Sequence, residues 1–342
     1  MKILGILNGM SGVSYHRLYA PLHDLRIRDF AEVDIWATRD DKGNYQPLPD
    51  LSQYDLVIWN GTLAEPQDRI IDILNTLGVP FIVDMDDHWM MNRYNPAHAE
   101  WEKRGLSAKI QKAVFAADAV ICENERLLKE VSKINRNAFV IPNALNLTEL
   151  QWNQEKHPEK RFRVGYVGSR SHRYDLLIIA DAVREFCEET GSEFNLCGYD
   201  EKDLEWQAVG NAFAPVGHPE WLKLRPGVHP SMYGIYYSRM DVVLAPIISN
   251  GFNRVKSDLK VKEAGCYSLP VIASDFGPYA NHPSPGVYTA RMRSEWKARL
   301  YEAYEGKLNG TANAEYLSAN GDLSQVNLDR VQFFYDVLSS VR

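Results

Sequence analysis

Short apolar runs alternate with longer amphipathic stretches along almost the whole chain, and this alternation limits the possible folds more than any other feature. The runs lie at 3–7, 32–37, 56–59, 81–83, 119–122 and 138–141. Most stop at turn-forming residues: Asn8-Gly9 after the first, Asn60-Gly61 after the third, Pro142-Asn143 after the sixth. Apolar runs bounded in this way are buried strands of a parallel sheet. The stretches between them, such as 66–77 and 107–117, carry apolar residues at helical spacing. Regular alternation of the two predicts a doubly wound α/β domain.

A second series follows. Residues 163–167 lead to Gly168-Ser169, 194–197 to Gly198, 242–246 to a Gly/Asn loop, and 271–274 to Asp275-Phe276-Gly277-Pro278. Between the two series, 151–161 turns polar, which is the composition of a linker. The prediction is a Rossmann-like domain over 1–155 and a second over 156–322, facing each other across a cleft. A final amphipathic helix lies within 323–342, after the polar stretch 306–322. The 342 residues suit two domains of roughly 100–200 residues each.

Composition removes several function classes. With 45% hydrophobic and 24% charged residues, the chain is globular and not disordered or fibrous. No run approaches the roughly 20 apolar residues that span a bilayer. The first run is too short for a signal peptide and is followed by Asn8, so it reads as a strand. Cys122, Cys187, Cys197 and Cys266 have neither metal-ligand nor redox spacing. They are expected to be free thiols in a reducing compartment, which makes the expected location cytoplasmic. A net charge of −7 does not advertise a nucleic-acid or anionic-membrane partner.

In open parallel sheets, ligands bind beyond the carboxyl ends of the strands. The residues ending each run are therefore the candidates. In 249–265, Ser257 or Asp258 can cap a helix that reaches Gly265. Lys256, Lys260 and Glu263 then share one face. Two cations and a carboxylate at a helix start suit a diphosphate with its ribose. The same spacing also fits a solvated helix with surface charge pairs, and spacing alone leaves both open. Gly9 and Gly12 let the backbone approach a ligand, with Tyr15, His16 and Arg17 following. Asp86, Asp87 and His88 form the most chemical-looking strand end of the first half, either as acid/base groups or as metal ligands. The aromatic stretch 89–94 is either an acceptor loop or a packed helix. Arg170, His172 and Arg173 follow Gly168-Ser169, and arginine matches phosphate in a bidentate way. Tyr233 and the loop 226–230 are candidates for a base pocket.

The pattern Ser257-x-x-Lys260-x-x-Glu263-Ala264-Gly265, followed by Leu269-Pro270-Val271-Ile272-Ala273-Ser274, resembles the donor motif of retaining GT-B glycosyltransferases of family four. Four further stretches are similar in the same order: Ala117-Asp118-Ala119-Val120-Ile121-Cys122, Val140-Ile141-Pro142-Asn143-Ala144-Leu145, 164–176, and Asp241-Val242-Val243-Leu244-Ala245-Pro246. The resemblance implies a two-domain GT-B fold whose last helix crosses back to the first domain. It implies a hexosyl- or pentosyltransferase that retains anomeric configuration, takes a nucleoside-diphosphate sugar as co-substrate, and needs no metal or other cofactor. Glu263 would hold the ribose. Most members carry a second Glu eight positions earlier, where this chain has Val255. Asn250-Gly251-Phe252-Asn253 resembles the loop that usually bears it. The donor half of the site, with Gly168, Ser169 and Ser257, is thus better specified than the sugar. The acceptor is open: a glycan, a lipid-linked glycan, a protein, a small metabolite, or a modified base in DNA. Three alternatives remain. They are a metal-dependent GT-A transferase using Asp84-x-Asp86, a sugar-nucleotide epimerase, and a nucleotide-binding protein without catalysis.

Overall fold

The computed structural model describes residues 1–40 and 42–341. Two six-stranded sheets organise the chain, and every pairing within them is parallel. The first holds β1 (Lys2–Leu7), β2 (Glu32–Ala37), β3 (Leu56–Asn60), β4 (Phe81–Met85), β5 (Ala119–Cys122) and β6 (Ala138–Val140). Their order is β2-β1-β3-β4-β5-β6. The second holds β7 (Arg163–Val167), β8 (Glu193–Tyr199), β9 (Leu222–Pro226), β10 (Val242–Ala245), β11 (Val271–Ser274) and β12 (Val287–Ala290). Their order is β12-β11-β10-β7-β8-β9.

Side chains alternate across each strand, so each sheet has two apolar faces. Leu4, Ile6, Val57, Trp59, Val83 and Val120 pack with Ile70, Leu74, Ile110 and Val114 of the helices Gln67–Leu77 and Leu106–Ala116. Their neighbours Ile3, Leu7, Ile58, Ile82 and Ile121 face the opposite side. There they meet Leu22 and Leu25 of helix Ala20–Ile27, and Val326, Phe334 and Val337 of helix Leu323–Val341. The last helix therefore lies on the first sheet. Among the described residues no helix is long and apolar enough to cross a membrane. Cys122, Cys187 and Cys197 are buried free thiols, and Cys266 is half-buried.

Three elements differ from the sequence expectation. β9 reads Leu-Lys-Leu-Arg-Pro and buries only Leu222. β12 is four residues long and mostly half-buried. Both are edge strands, so neither presents the continuous apolar run that marks a central strand. The polar stretch 306–322 contains a helix, Thr311–Asn320, which buries Ala312, Asn313 and Leu317. It crosses helix Leu259–Gly265 closely, because a Cβ at Gly265 would lie 2.4 Å from the Asn313 carbonyl oxygen. The linker stretch is also anchored at its start. Gln151 Oε1 accepts from the Gly234 N–H at 3.1 Å, and the Gln151 carbonyl accepts from Tyr267 OH at 2.5 Å.

The strand orders place two switch points. In the first sheet, successive strands depart to opposite sides of β1, leaving a crevice between β1 and β3. In the second, the crevice lies between β7 and β10. Ligand sites of doubly wound sheets form at such points.

Candidate active site

The loop after β1 starts with Gly9 at φ +102°, a conformation that favours glycine. Ser11 caps the turn Gly12–Ser14, accepting from the Ser14 N–H at 3.1 Å. A single wide turn, Tyr15–Tyr19, then leads into helix Ala20–Ile27 and buries four consecutive residues, Tyr15 to Leu18. Arg17 is fully buried. Its Nε and Nη2 donate to the two oxygens of Asp84 at 2.7 and 2.8 Å, and its Nη1 donates to the Ile141 carbonyl at 3.0 Å and Asn143 Oδ1 at 3.2 Å. Burial opposes the guanidinium charge, but the attraction of Asp84 outweighs it and Arg17 is held above its ordinary pKa. Arg17 thus ties together the ends of β1, β4 and β6 with four of its five N–H donors, and it borders the cavity described below.

Asp84 is committed to Arg17, so the Asp84-x-Asp86 pair does not offer two free carboxylates to a metal. Asp86 stands one turn further into the cleft. Its Oδ1 accepts from Asn60 Nδ2 at 3.2 Å. Burial and the neighbouring charge of Asp87 push its pKa up to about 7. Asp87 reaches across to the second domain, where Lys256 Nζ donates to its two oxygens at 3.1 and 3.4 Å. His88 Nδ1 accepts from the Met90 N–H at 3.0 Å, which leaves Nε2 as the ring's donor. Partial burial lowers the pKa of His88.

In the second half of the chain, Lys256 lies in the segment before helix Leu259–Gly265, and Lys260 and Glu263 lie on the helix. Asp258 takes the N-cap position, yet its side chain does not cap the helix. Its carboxylate instead receives Lys262, His282 and Tyr316, at 3.4, 3.3 and 2.6 Å. Lys260 donates to the Val167 carbonyl and sits 4.8 Å from the Tyr166 ring centroid. Burial lowers its pKa. Burial raises that of Glu263, against the pull of Lys260. The two carboxylate oxygens of Glu263 accept from Tyr233 and Tyr237. Because the Tyr233 proton is given to Glu263, His16 Nε2 must be the donor in its 2.6 Å bond to the Tyr233 oxygen. That chain of hydrogen bonds crosses the cleft. Burial beside Arg17 lowers the pKa of His16 to about 4, which keeps it neutral.

These groups surround a cavity of about 170 Å3 between the domains. Gly12, His16, Asp86 and Asp87 line it from the first domain, and His172, Lys256, Lys260 and Glu263 from the second. Ser257 also borders it, whereas Gly9, Gly168 and Ser169 do not. A second cavity, of about 250 Å3, opens on the other side of Asp86, Asp87 and His88.

Several candidates belong elsewhere. Arg170 Nη1 donates to Asp203 at 2.5 Å and Arg173 Nη1 to Glu205 at 2.7 Å, which draws both arginines toward the start of helix Leu204–Phe213. Tyr15 OH donates to Glu149 at 2.8 Å. Asn250 caps the short helix Gly251–Arg254. Asn253 is buried, with Nδ2 on Asp175 Oδ1 at 3.0 Å. Within that loop Phe252 does face a cavity, the one of about 250 Å3. Val255, at the position where the family motif carries its first Glu, is buried in the apolar cluster of the first sheet. Sequence reasoning missed Asp175. It holds His172 Nδ1 at 2.7 Å, the Ile248 N–H at 2.7 Å and Asn253, thereby fixing three segments around the cavity. Burial lowers the pKa of His172, and the pull of Asp175 does not reverse this.

No protein-family model matches the chain, and no curated protein matches it in sequence. Solved structures do match. HepE of Anabaena, in complex with UDP and glucose, shares 15% identity at a TM-score of 0.68, over 98% of this chain and 99% of its own. An alpha-glucosyltransferase (AGT) in complex with UDP shares 13% identity at 0.65, over 99% of both chains. A putative UDP-N-acetylglucosamine 2-epimerase of Listeria monocytogenes shares 12% identity at 0.61, over 95% of this chain and 94% of its own. The likeness is one of fold: the chain has the two-domain GT-B architecture over nearly its whole length. The single-domain GT-A alternative is thereby corrected, consistent with the commitment of Asp84 to Arg17.

Proposed function

We propose that this chain is a glycosyltransferase that moves a sugar from a nucleoside-diphosphate sugar to an acceptor hydroxyl. The observation that carries the reading is the cavity at the meeting of the two strand-end crevices. It joins two half-buried lysines and a buried carboxylate on one wall to Asp86 and Asp87 on the other. Lys256, Lys260 and His172 are assigned to the diphosphate, whose leaving charge needs preplaced donors. Glu263 is assigned to the ribose, with Tyr233 and Tyr237 fixing its position. UDP is the expected nucleotide, since structures of this fold hold it.

In the proposed reaction the bond from the anomeric carbon to the diphosphate oxygen breaks. The acceptor oxygen bonds to that carbon, and Asp86 takes the hydroxyl proton. Retention of configuration and independence of a metal are the expectations from the family-four resemblance. The 156–322 segment is the proposed donor domain and 1–155 the acceptor side. A cytoplasmic location is consistent with the free thiols.

Epimerisation is the competing reading, since a putative epimerase has the same fold. The second cavity beyond Asp86 favours transfer, because an epimerase has only one substrate to house. The test is calorimetric titration with UDP and UDP-sugars, followed by product analysis with and without acceptors. Wild-type protein is expected to bind UDP. Lys260→Met should weaken binding about 10–100-fold, the loss of one charged hydrogen bond of roughly 1.5–3 kcal/mol. No binding by the wild type would refute the donor site, and acceptor-independent conversion of the sugar would establish the epimerase.

A further inference from the structure

We infer that the cavity of about 250 Å3 behind Asp86 is the acceptor site and that it takes a single uncharged polyhydroxylated ring, a terminal sugar residue or cyclitol. This rests on the transferase reading and deepens it.

Position is the first argument. The cavity lies at the switch point of the first sheet, between Asn8 after β1 and Asn60 at the end of β3. It shares Asp86, Asp87 and Val13 with the cleft cavity. A hydroxyl held there meets the same carboxylates that face the donor side. Asp86 lines both spaces, so a group between them sits within reach of a base.

Size is the second. About 250 Å3 falls below the roughly 300–1,000 Å3 of sites for drug-sized ligands. The enclosed part of this open cavity accommodates one ring. A longer acceptor would enter by one residue only.

Chemistry is the third. The wall offers short neutral hydrogen-bonding groups from Asn8, Ser11, Ser14, Asn60 and Thr62. Opposite them stand the apolar faces of Trp101, Met91 and Phe252. Trp101 is fixed by its Nε1, which donates to the Trp89 carbonyl at 3.1 Å and to Ser107 Oγ at 3.0 Å. A polar wall facing a fixed aromatic ring matches a sugar, which has hydroxyls at its rim and C–H groups on its faces.

Charge is the fourth and decides against anions. Among the described residues no lysine or arginine lines this cavity, but two aspartates do. Among the described residues, several cations in the neighbouring segments already have partners. Arg17 is on Asp84 and Lys256 on Asp87. Arg104 and Lys109 lie on Glu65, and Lys112 on Asp68. Arg39 stacks 3.9 Å over Tyr45, and Arg93 4.8 Å over Tyr94. A phosphate or carboxylate on the ring would meet Asp86 with no counter-charge. A DNA strand would likewise find no lysine or arginine among the described residues of the cavity lining.

The test measures nucleoside-diphosphate release above the water background, using the UDP-sugar that binds best. The panel contains methyl pyranosides and cyclitols, their uronate and 6-phosphate counterparts, and a short duplex oligonucleotide. At least one neutral ring is expected to stimulate release tenfold or more, and its charged counterpart less than a tenth as much. Trp101→Phe should raise the KM for that ring several-fold with UDP affinity unchanged. Met91→Lys should shift the preference toward the charged counterpart. The inference is overturned if a charged ring or the oligonucleotide is the better acceptor. It is also overturned if no neutral ring stimulates release while UDP binding is intact, or if Met91→Lys leaves the preference where it was. Absence of UDP binding would overturn the transferase reading instead.

Discussion

Asp86 shows how a single residue acquires a role from its surroundings. A half-buried carboxylate beside a second one is reluctant to ionise, and its pKa stands near 7. A base of that pKa works near neutral pH. The rate is expected to rise with pH up to about 7 and then level off. Asp86→Asn should flatten this profile and reduce turnover by about 10²–10⁴-fold, with UDP affinity preserved. A pH-independent rate in the wild type would remove Asp86 from the chemistry. The cluster Asp86, Asp87 and His88 was legible in the sequence because it follows a strand directly. The pairing of Arg170 and Arg173 was not legible, because their partners Asp203 and Glu205 lie about thirty residues away at the start of another helix. Asp175 was invisible for a related reason. Its link to His172 is local, but its other two partners, Ile248 and Asn253, come near only once β7 and β10 are side by side.

At the scale of elements, the ends of strands decide the electrostatics. Glu123 follows β5, is 3% exposed and accepts from Asn124 at 2.5 Å. Burial and repulsion from Asp258 push its pKa up to about 7. A carboxyl raised in the folded protein stabilises it most below its unfolded pKa, and that contribution is lost as pH rises through the folded value. Glu123→Gln is therefore expected to be nearly neutral at pH 5 and stabilising at pH 8. The difference in Tm should grow by several degrees across that range, at roughly 2–4 °C per kcal/mol for domains of this size. Equal shifts at both values would show that Glu123 is already ionised at pH 5. Central strands were read from the sequence because burial on both faces leaves a continuous apolar run. The edge strands β9 and β12 lack that run, as does the helix Thr311–Asn320, whose buried face includes a small Ala312 and a polar Asn313.

Across the whole molecule, the two sheets are joined by polar bonds that converge on the cleft. His16 bonds Tyr233, Lys256 bonds Asp87, Lys262 donates to the Asn143 carbonyl at 2.8 Å, and Asn124 donates to the Val255 carbonyl at 2.7 Å. The alternation of strands and helices was enough to read the two halves, each a sheet flanked by helices. The contacts between them were not legible, because each joins residues more than a hundred positions apart in the chain. One of them carries a consequence for ligand traffic. The Asp87 carboxylate sits on Lys256 as an internal anion, so a diphosphate can reach that lysine only by ion exchange. Net affinity is then the difference between two anions competing for one cation. Asp87→Asn removes the resident competitor and is expected to tighten UDP binding while slowing transfer. Because the exchange swaps one anion for another, calorimetry should also find wild-type affinity less sensitive to salt than that of the variant.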